Sequence, residues 1–232
     1  MLNFFSINHV AFTVLQYPMS YVEFLGTIFY IWSVWLIAQK KMLTWPVGII
    51  SVILYAFLFY QIRLYSDFLE QLYYLGASVY GWWFWDKKKK EDQEIAVVRG
   101  TLKNNIFWLA GILIVSGFTG LLMGRIHLIF PNVFPQPADF PFWDAFTTIS
   151  SFAAMFLLAR KRFESWFLWI VVDVIGIVLY YVKGVKFLSL LYVFLLLIAL
   201  KGFLSWWSSL RSVPNPGDGR NPTHLGRDRD GM

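Results

Sequence analysis

The residues best suited to chemistry in this 232-residue chain are one carboxylate and two indoles spaced along a helical stripe. Trp166 and Trp169 precede Asp173 by seven and four residues, so a helix places all three on one face. Asp173 sits in the middle of a long apolar stretch, where an ionisable group costs free energy and marks a functional candidate. Two rings could stack on a flat, cationic or hydroxylated molecule while the carboxylate takes a hydroxyl or balances a positive charge. The same tryptophans also suit bundle packing or anchoring at a membrane interface. A second polar stripe, Gln71, Tyr74 and Ser78, has the spacing i, i+3 and i+7. Gln71 offers a donor and an acceptor together, which suits a carboxamide. Its alternative use is a helix–helix hydrogen bond within a membrane.

Catalytic and metal-binding patterns are missing. His9, His127 and His224 form no paired ligand spacing, and the chain has no cysteine. There is no phosphate-binding GxxxxGK[ST] loop and no Gly-x-Ser-x-Gly elbow. The expectation is a protein that is not an enzyme and that needs neither cofactor nor metal.

The elements that must position these groups are membrane spans. Hydrophobic residues make up 58% of the chain and charged ones 15%, against about a quarter charged in soluble domains. This composition excludes a disordered chain, a nucleic-acid binder with a basic face and an ordinary cytosolic enzyme. Hydropathy and punctuation predict seven helices over residues 21–39, 45–62, 67–85, 106–123, 142–159, 166–182 and 187–207. Thr44 is expected to cap the second, with Pro46 in its first turn, and Asp67 with Glu70 to cap the third. Residues 1–20 contain no Lys or Arg, so no cleavable signal is expected. They read instead as an extracytoplasmic segment on the interface or against the bundle. Residues 208–232 read as a disordered cytoplasmic tail.

Basic residues orient the spans. Lys40, Lys41, Lys87, Lys88, Lys89, Lys90, Arg99, Lys103, Arg160, Lys161 and Arg162 lie in connections on one side, against Arg63, Arg125, Lys183 and Lys186 on the other. That bias predicts the N-terminus outside and the C-terminus inside, with Trp82, Trp83, Trp85, Trp206 and Trp207 as an inner aromatic belt. Glu23 and Asp144 are expected in the first turns of their helices, where the dipole favours acids. Lys201 is within snorkelling reach of the inner face.

Sliding the sequence on itself by 121 residues aligns helices one to three with five to seven without a gap. Thr27 meets Thr148, Lys40 meets Lys161, Trp45 meets Trp166, Gly81 meets Gly202 and Trp85 meets Trp206. The fold expected is an all-α membrane protein of two parallel three-helix repeats, 21–85 and 142–207. Residues 86–141 then hold a basic inner loop, a linker helix and a Pro-rich outer loop. A substrate site would lie between the repeats. The repeat adds Trp45, the mate of Trp166, Gly48, which stands in the place of Trp169, and Tyr192, which stands in that of Gln71. A small residue at Gly48 leaves room for a ligand or allows close packing.

In this order the motifs resemble the PnuC-type family of bacterial vitamin transporters across residues 21–207. They are Trp45-Pro46-x-Gly48, Tyr60-Gln61-x-Arg63-Leu64-Tyr65-Ser66-Asp67 with Gln71, Tyr80-Gly81-Trp82-x-x-Trp85, Pro141-Phe142-Trp143-Asp144, Trp166-x-x-Trp169-x-x-x-Asp173 and Tyr181-x-Lys183-Gly184. The resemblance implies a three-plus-one-plus-three fold similar to SWEET sugar transporters, a homotrimer, and facilitated diffusion of nicotinamide riboside trapped by a cytosolic kinase. It also assigns the double-Trp motif to the substrate site. Some members carry Asn where Asp173 stands, so thiamine or riboflavin remain alternative substrates on the same fold. A membrane enzyme or a non-transporting receptor are the readings outside transport.

Overall fold

The computed structural model describes residues 10–14, 17–62, 65–90, 96–132, 134 and 136–212. The expected tail from residue 213 on, His9 and His224 lie outside them, as does Arg63. Among the described residues the chain forms a short hairpin, β1 (Val10–Val14) and β2 (Tyr17–Ser20), then seven helices: α1 (Tyr21–Ala38), α2 (Thr44–Gln61), α3 (Tyr65–Lys90), α4 (Leu102–Ile129), α5 (Pro141–Ala159), α6 (Ser165–Val182) and α7 (Lys186–Ser212). All except α3 are long and apolar enough to cross a membrane. The 26 residues of α3 include Asp67 and Glu70 near the start and four lysines, Lys87 to Lys90, at the end. These charges lower its hydropathy.

The stretch before α1 contributes the hairpin, an element that the short apolar run did not reveal. Its strands pair antiparallel, with Val14 opposite Tyr17 and Val10 opposite Ser20. Ser20 closes it by capping α1, its Oγ accepting the Glu23 N–H at 3.2 Å. Glu23 and Asp144 do fall in the first turns of α1 and α5.

Two expected caps are corrected. Thr44 is the first helical residue of α2, after Leu43, and its hydroxyl donates 2.8 Å across to the Ser33 carbonyl of α1. An interhelical carbonyl has taken the hydroxyl in place of a backbone N–H of its own helix. Asp67 does not cap α3, because that helix already starts at Tyr65. Glu70 is therefore free to turn toward α5, where its carboxylate accepts from the Thr148 hydroxyl at 3.3 Å.

The helices pack in chain order within each set of three, α1 on α2 on α3 and α5 on α6 on α7, with α4 against α5. The sets meet through α1 on α7 and α3 on α5. Alternation of direction puts the starts of α1, α3, α5 and α7 at one end, with the hairpin. The opposite end carries Lys40 and Lys161, and the largest apolar core lies there around Ile37, Trp45, Trp85, Leu158, Trp166 and Trp206. Trp85 and Trp206, expected in a surface belt, are 1% and 0% exposed. Trp82 and Trp83 do face outward. The outer surface of α4 is apolar along most of its length, as a lipid-facing helix requires.

Candidate functional site

Four indoles at the lysine end repeat one arrangement. Trp45 of α2 stands edge-on to Trp85 of α3, 5.3 Å between centroids and 88° between planes. Trp166 of α6 stands edge-on to Trp206 of α7 at 5.5 Å and 80°. The Trp45 ring lies directly on Gly81, and the Trp166 ring on Gly202. Trp85 Nε1 donates 2.9 Å to the Ala159 carbonyl of α5, and Trp206 Nε1 donates 3.2 Å to the Ile37 carbonyl of α1. Each of these bonds joins one helix triplet to the other.

Trp45 and Trp166 are thus buried in packed apolar surroundings, yet their own Nε1 donors have no partner among the described residues. A buried donor left unpaired costs about 1–3 kcal/mol. The cost is tolerable where an acceptor on a visiting molecule can take the bond.

Toward the middle of the bundle the environment becomes polar. Asp173 is 3% exposed and takes part in no ion pair found among the described residues. Its carboxylate acts electrostatically on the hydroxyls of Tyr30 from α1 and Tyr192 from α7. The Tyr192 ring is held against Gly176, one turn above Asp173, and stacks on Tyr180 at 5.3 Å and 20°. The two phenols lie side by side as a result. Tyr74 of α3 lies near Ser151 of α5 and within the electrostatic reach of Tyr30. Four helices from both triplets therefore bring Tyr30, Tyr74, Asp173 and Tyr192 into one layer.

This layer unites three of the residues expected from sequence, Tyr74, Asp173 and Tyr192. Trp169 is half-buried and packs on the edge of the indole cluster, one turn from Asp173. Trp45 and Trp166 belong to that cluster, nearer the lysine end. Ser78 is 2% exposed on α3, and Gln71 is half-buried. A Cβ at Gly48 would sit 3.6 Å from that of Ser33, an ordinary contact, so the position reflects α1–α2 packing without demanding glycine.

Tyr30, Ser151 and Tyr180 were not singled out from the sequence, Glu70 was read there only as a cap and Thr148 only as the mate of Thr27. The 121-residue offset held a signal for two of them, since Tyr30 aligns with Ser151 and both turn inward. A groove of about 240 Å³ between α4 and α5, lined by Leu113, Ser116, Gly117, Phe142, Trp143 and Phe146, contains none of the expected residues. Among the described residues no three His, Asp or Glu side chains converge as metal ligands.

Ion pairs lie at the ends. Lys183 holds Asp144 at 2.8 Å at the hairpin end. At the lysine end Glu164 accepts from Arg162 Nε at 3.0 Å, the Gly100 N–H at 2.6 Å and Asn105 Nδ2 at 3.2 Å. Burial opposes its ionisation, but these donors together with its own backbone N–H outweigh that and hold its carboxyl below the usual range.

Comparison with known proteins identifies the family and the fold. The nicotinamide riboside transporter PnuC of Escherichia coli (strain K12) is 29% identical over 232 aligned residues, covering 90% of this chain and 96% of that protein. The riboflavin/roseoflavin transporter RibM of Streptomyces davaonensis is 26% identical over 212 residues, 90% of this chain and 95% of the relative. A crystal structure of the vitamin B3 transporter PnuC superposes with a TM-score of 0.61 at 23% identity, over 81% of this chain and 80% of that one, and so shares the fold. The nicotinamide mononucleotide transporter family description matches residues 20–208, and the chain belongs to that family of membrane transporters.

Proposed function

We propose that this protein carries nicotinamide riboside across the bacterial cytoplasmic membrane by facilitated diffusion. The observation that carries the reading is Asp173, a buried carboxylate without an ion-pair partner among the described residues, with Tyr30 and Tyr192, one from each helix triplet, within its electrostatic reach. Nicotinamide riboside is a pyridinium cation with ribose hydroxyls and a carboxamide. The carboxylate matches its charge, the tyrosines its hydroxyls and Gln71 its amide. Among the described residues no basic side chain acts on Asp173. A phosphate dianion would meet repulsion there, which favours the riboside over the mononucleotide named in the family description.

The substrate site on this reading comprises Trp45, Gly48, Gln71, Tyr74, Ser78, Trp166, Trp169, Asp173 and Tyr192. The helices form a three-plus-one-plus-three arrangement, with α3 as the seventh span and α4 as the connector that makes the triplets parallel. Paired inter-triplet contacts support it: α1 meets α7 as α5 meets α3. The triplets rock about the tyrosine layer in alternating access, and the N-terminus faces out and the C-terminus in. A cytosolic kinase makes uptake one-way by phosphorylating the vitamin, and the functional unit is a homotrimer. Relatedness to the riboflavin/roseoflavin transporter keeps the ligand question experimental, with thiamine as the other cationic candidate.

The test is titration calorimetry of the purified protein with nicotinamide riboside, thiamine and riboflavin, followed by flux of the best binder into vesicles. Saturable binding of the riboside and flux indifferent to collapsed proton and sodium gradients are expected. Binding of thiamine or riboflavin in preference would reassign the substrate, and binding without flux would make the protein a receptor.

A further inference from the structure

Glu70 is a second carboxylate inside the bundle, and the transport reading so far gives it no role. It lies on α3 one turn from Tyr74 toward the hairpin end, half-buried, with the Thr148 hydroxyl donating to its Oε1 at 3.3 Å. Its charge acts on two phenols, Tyr74 and Tyr180. Tyr180 stacks on Tyr192, and Tyr192 and Tyr30 lie within electrostatic reach of Asp173. Phenols therefore lie near both carboxylates. Tyr180 is seven residues beyond Asp173 on α6, about 10 Å at 1.5 Å per residue, so Glu70 occupies a separate level nearer the hairpin end.

The other acids with close partners are differently placed. Asp144, Glu164 and Asp86 each hold a Lys or Arg at an end of the bundle, and Glu23 accepts from the Tyr17 hydroxyl of the hairpin at 2.8 Å in the first turn of α1. Glu70 enters no ion pair among the described residues and has a neutral hydroxyl opposite it. A carboxylate in such surroundings is costly until a cation reaches it, and a cation in turn favours its ionised form.

We propose that Glu70 is a further recognition residue for positive charge, receiving a cationic ligand at the hairpin-end level before it reaches Asp173. The inference rests on the reading that the cargo is a cationic riboside. It makes Glu70 a determinant of charge selectivity. Thr148, from the opposite triplet, orients the carboxylate, so the receiving geometry depends on how α3 and α5 are apposed.

The experiment compares nicotinamide riboside with its neutral 1,4-dihydro form, which keeps the ribose and the carboxamide. Affinities are measured on the full-length wild type, Glu70→Gln and Glu70→Asp. Glu70→Gln is expected to weaken binding of the cation about tenfold, the size of one lost charge-assisted hydrogen bond, and to leave the neutral form within about twofold. Glu70→Asp keeps the preference for the cation. Equal loss for both forms, or no loss for either, overturns the assignment. Should Glu70→Gln fail to fold, Asp173→Asn tests the same point: a residual preference for the cation is expected, and its complete loss overturns the second level. A wild type that binds no riboside removes the transport reading itself, and the inference with it.

Discussion

Lys40 and Lys161 adopt the same left-handed backbone conformation, φ 60° and 52°, at matching steps 121 residues apart. Each is the residue after a helix C-cap, in a turn closed by two bonds of the Schellman type. Lys41 N–H reaches Leu36 and Lys40 N–H reaches Ile37 after α1, while Arg162 reaches Leu157 and Lys161 reaches Leu158 after α5. The corresponding turn after α6 uses Gly184 at φ 79°. Lysine is strained where glycine is not, and its side chain shows what that strain serves. Lys40 Nζ bonds Ser205 and Ser209 of α7, and Lys161 Nζ lies 4.4 Å over the Trp85 ring of α3. Each lysine reaches the opposite triplet.

Replacing either lysine by alanine keeps the strain and loses the reach, whereas glycine loses only the reach. Lys161→Gly and Lys40→Gly should therefore be more stable than the alanine variants by about 1 kcal/mol. Thermal unfolding in detergent measures the difference, and equal midpoints for each Gly/Ala pair would contradict it.

The indole cluster is the most tightly constrained packing. A Cβ at Gly81 would fall 2.5 Å from Cζ2 and Cζ3 of Trp45, and one at Gly202 the same distance from those atoms of Trp166. Trp85 or Trp206, one turn along the same helix from that glycine, stands edge-on to the ring and limits its sideways movement. Gly81→Ala and Gly202→Ala should each cost about 1–3 kcal/mol of overpacking, while Gly76→Ala, with open space around it, should not destabilise. Unfolding midpoints for the three variants decide the matter.

Trp169→Ala and Asp173→Ala are expected to weaken saturable vitamin binding severely while the protein remains folded. Loss of the carboxylate removes a charge-assisted interaction of about 1.5–3 kcal/mol, a tenfold or larger fall in affinity. Calorimetry alongside a circular-dichroism check makes the comparison. Unchanged affinity in both variants would remove these residues from the site.

Glu164 gives the lysine end an acid sensitivity. The fold lowers its pKa, through the donors of Arg162, Gly100 and its own backbone working against burial. The stabilisation is therefore complete above the pKa of the unfolded carboxyl and drains away as pH falls through the folded value. Glu164→Gln should lower stability by about 1–2 kcal/mol at neutral pH and flatten the acid side of the stability profile. A wild-type and variant difference that persists unchanged at strongly acidic pH would refute this.

From the amino-acid sequence alone came the helices, each within a few residues of its observed ends except for α3, α4 and α7, which run further. Their repeat at 121 residues, the candidates Asp173, Tyr74 and Tyr192, and the family resemblance were legible there too. Those features are local. A span is set by the hydropathy of its own residues, and a turn by its own prolines and charges. Which face of each helix turns inward was not legible, because lipid and protein interior are equally apolar and leave no amphipathic stripe to read. Tertiary structure alone placed Trp85 and Trp206 on carbonyls of the opposite triplet, seated Trp45 and Trp166 on glycines, and turned Thr44 away from its own helix end. It also brought Tyr30 to Asp173 and Glu70 to Thr148, since a polar side chain in an apolar bundle takes whatever partner the neighbouring helix presents.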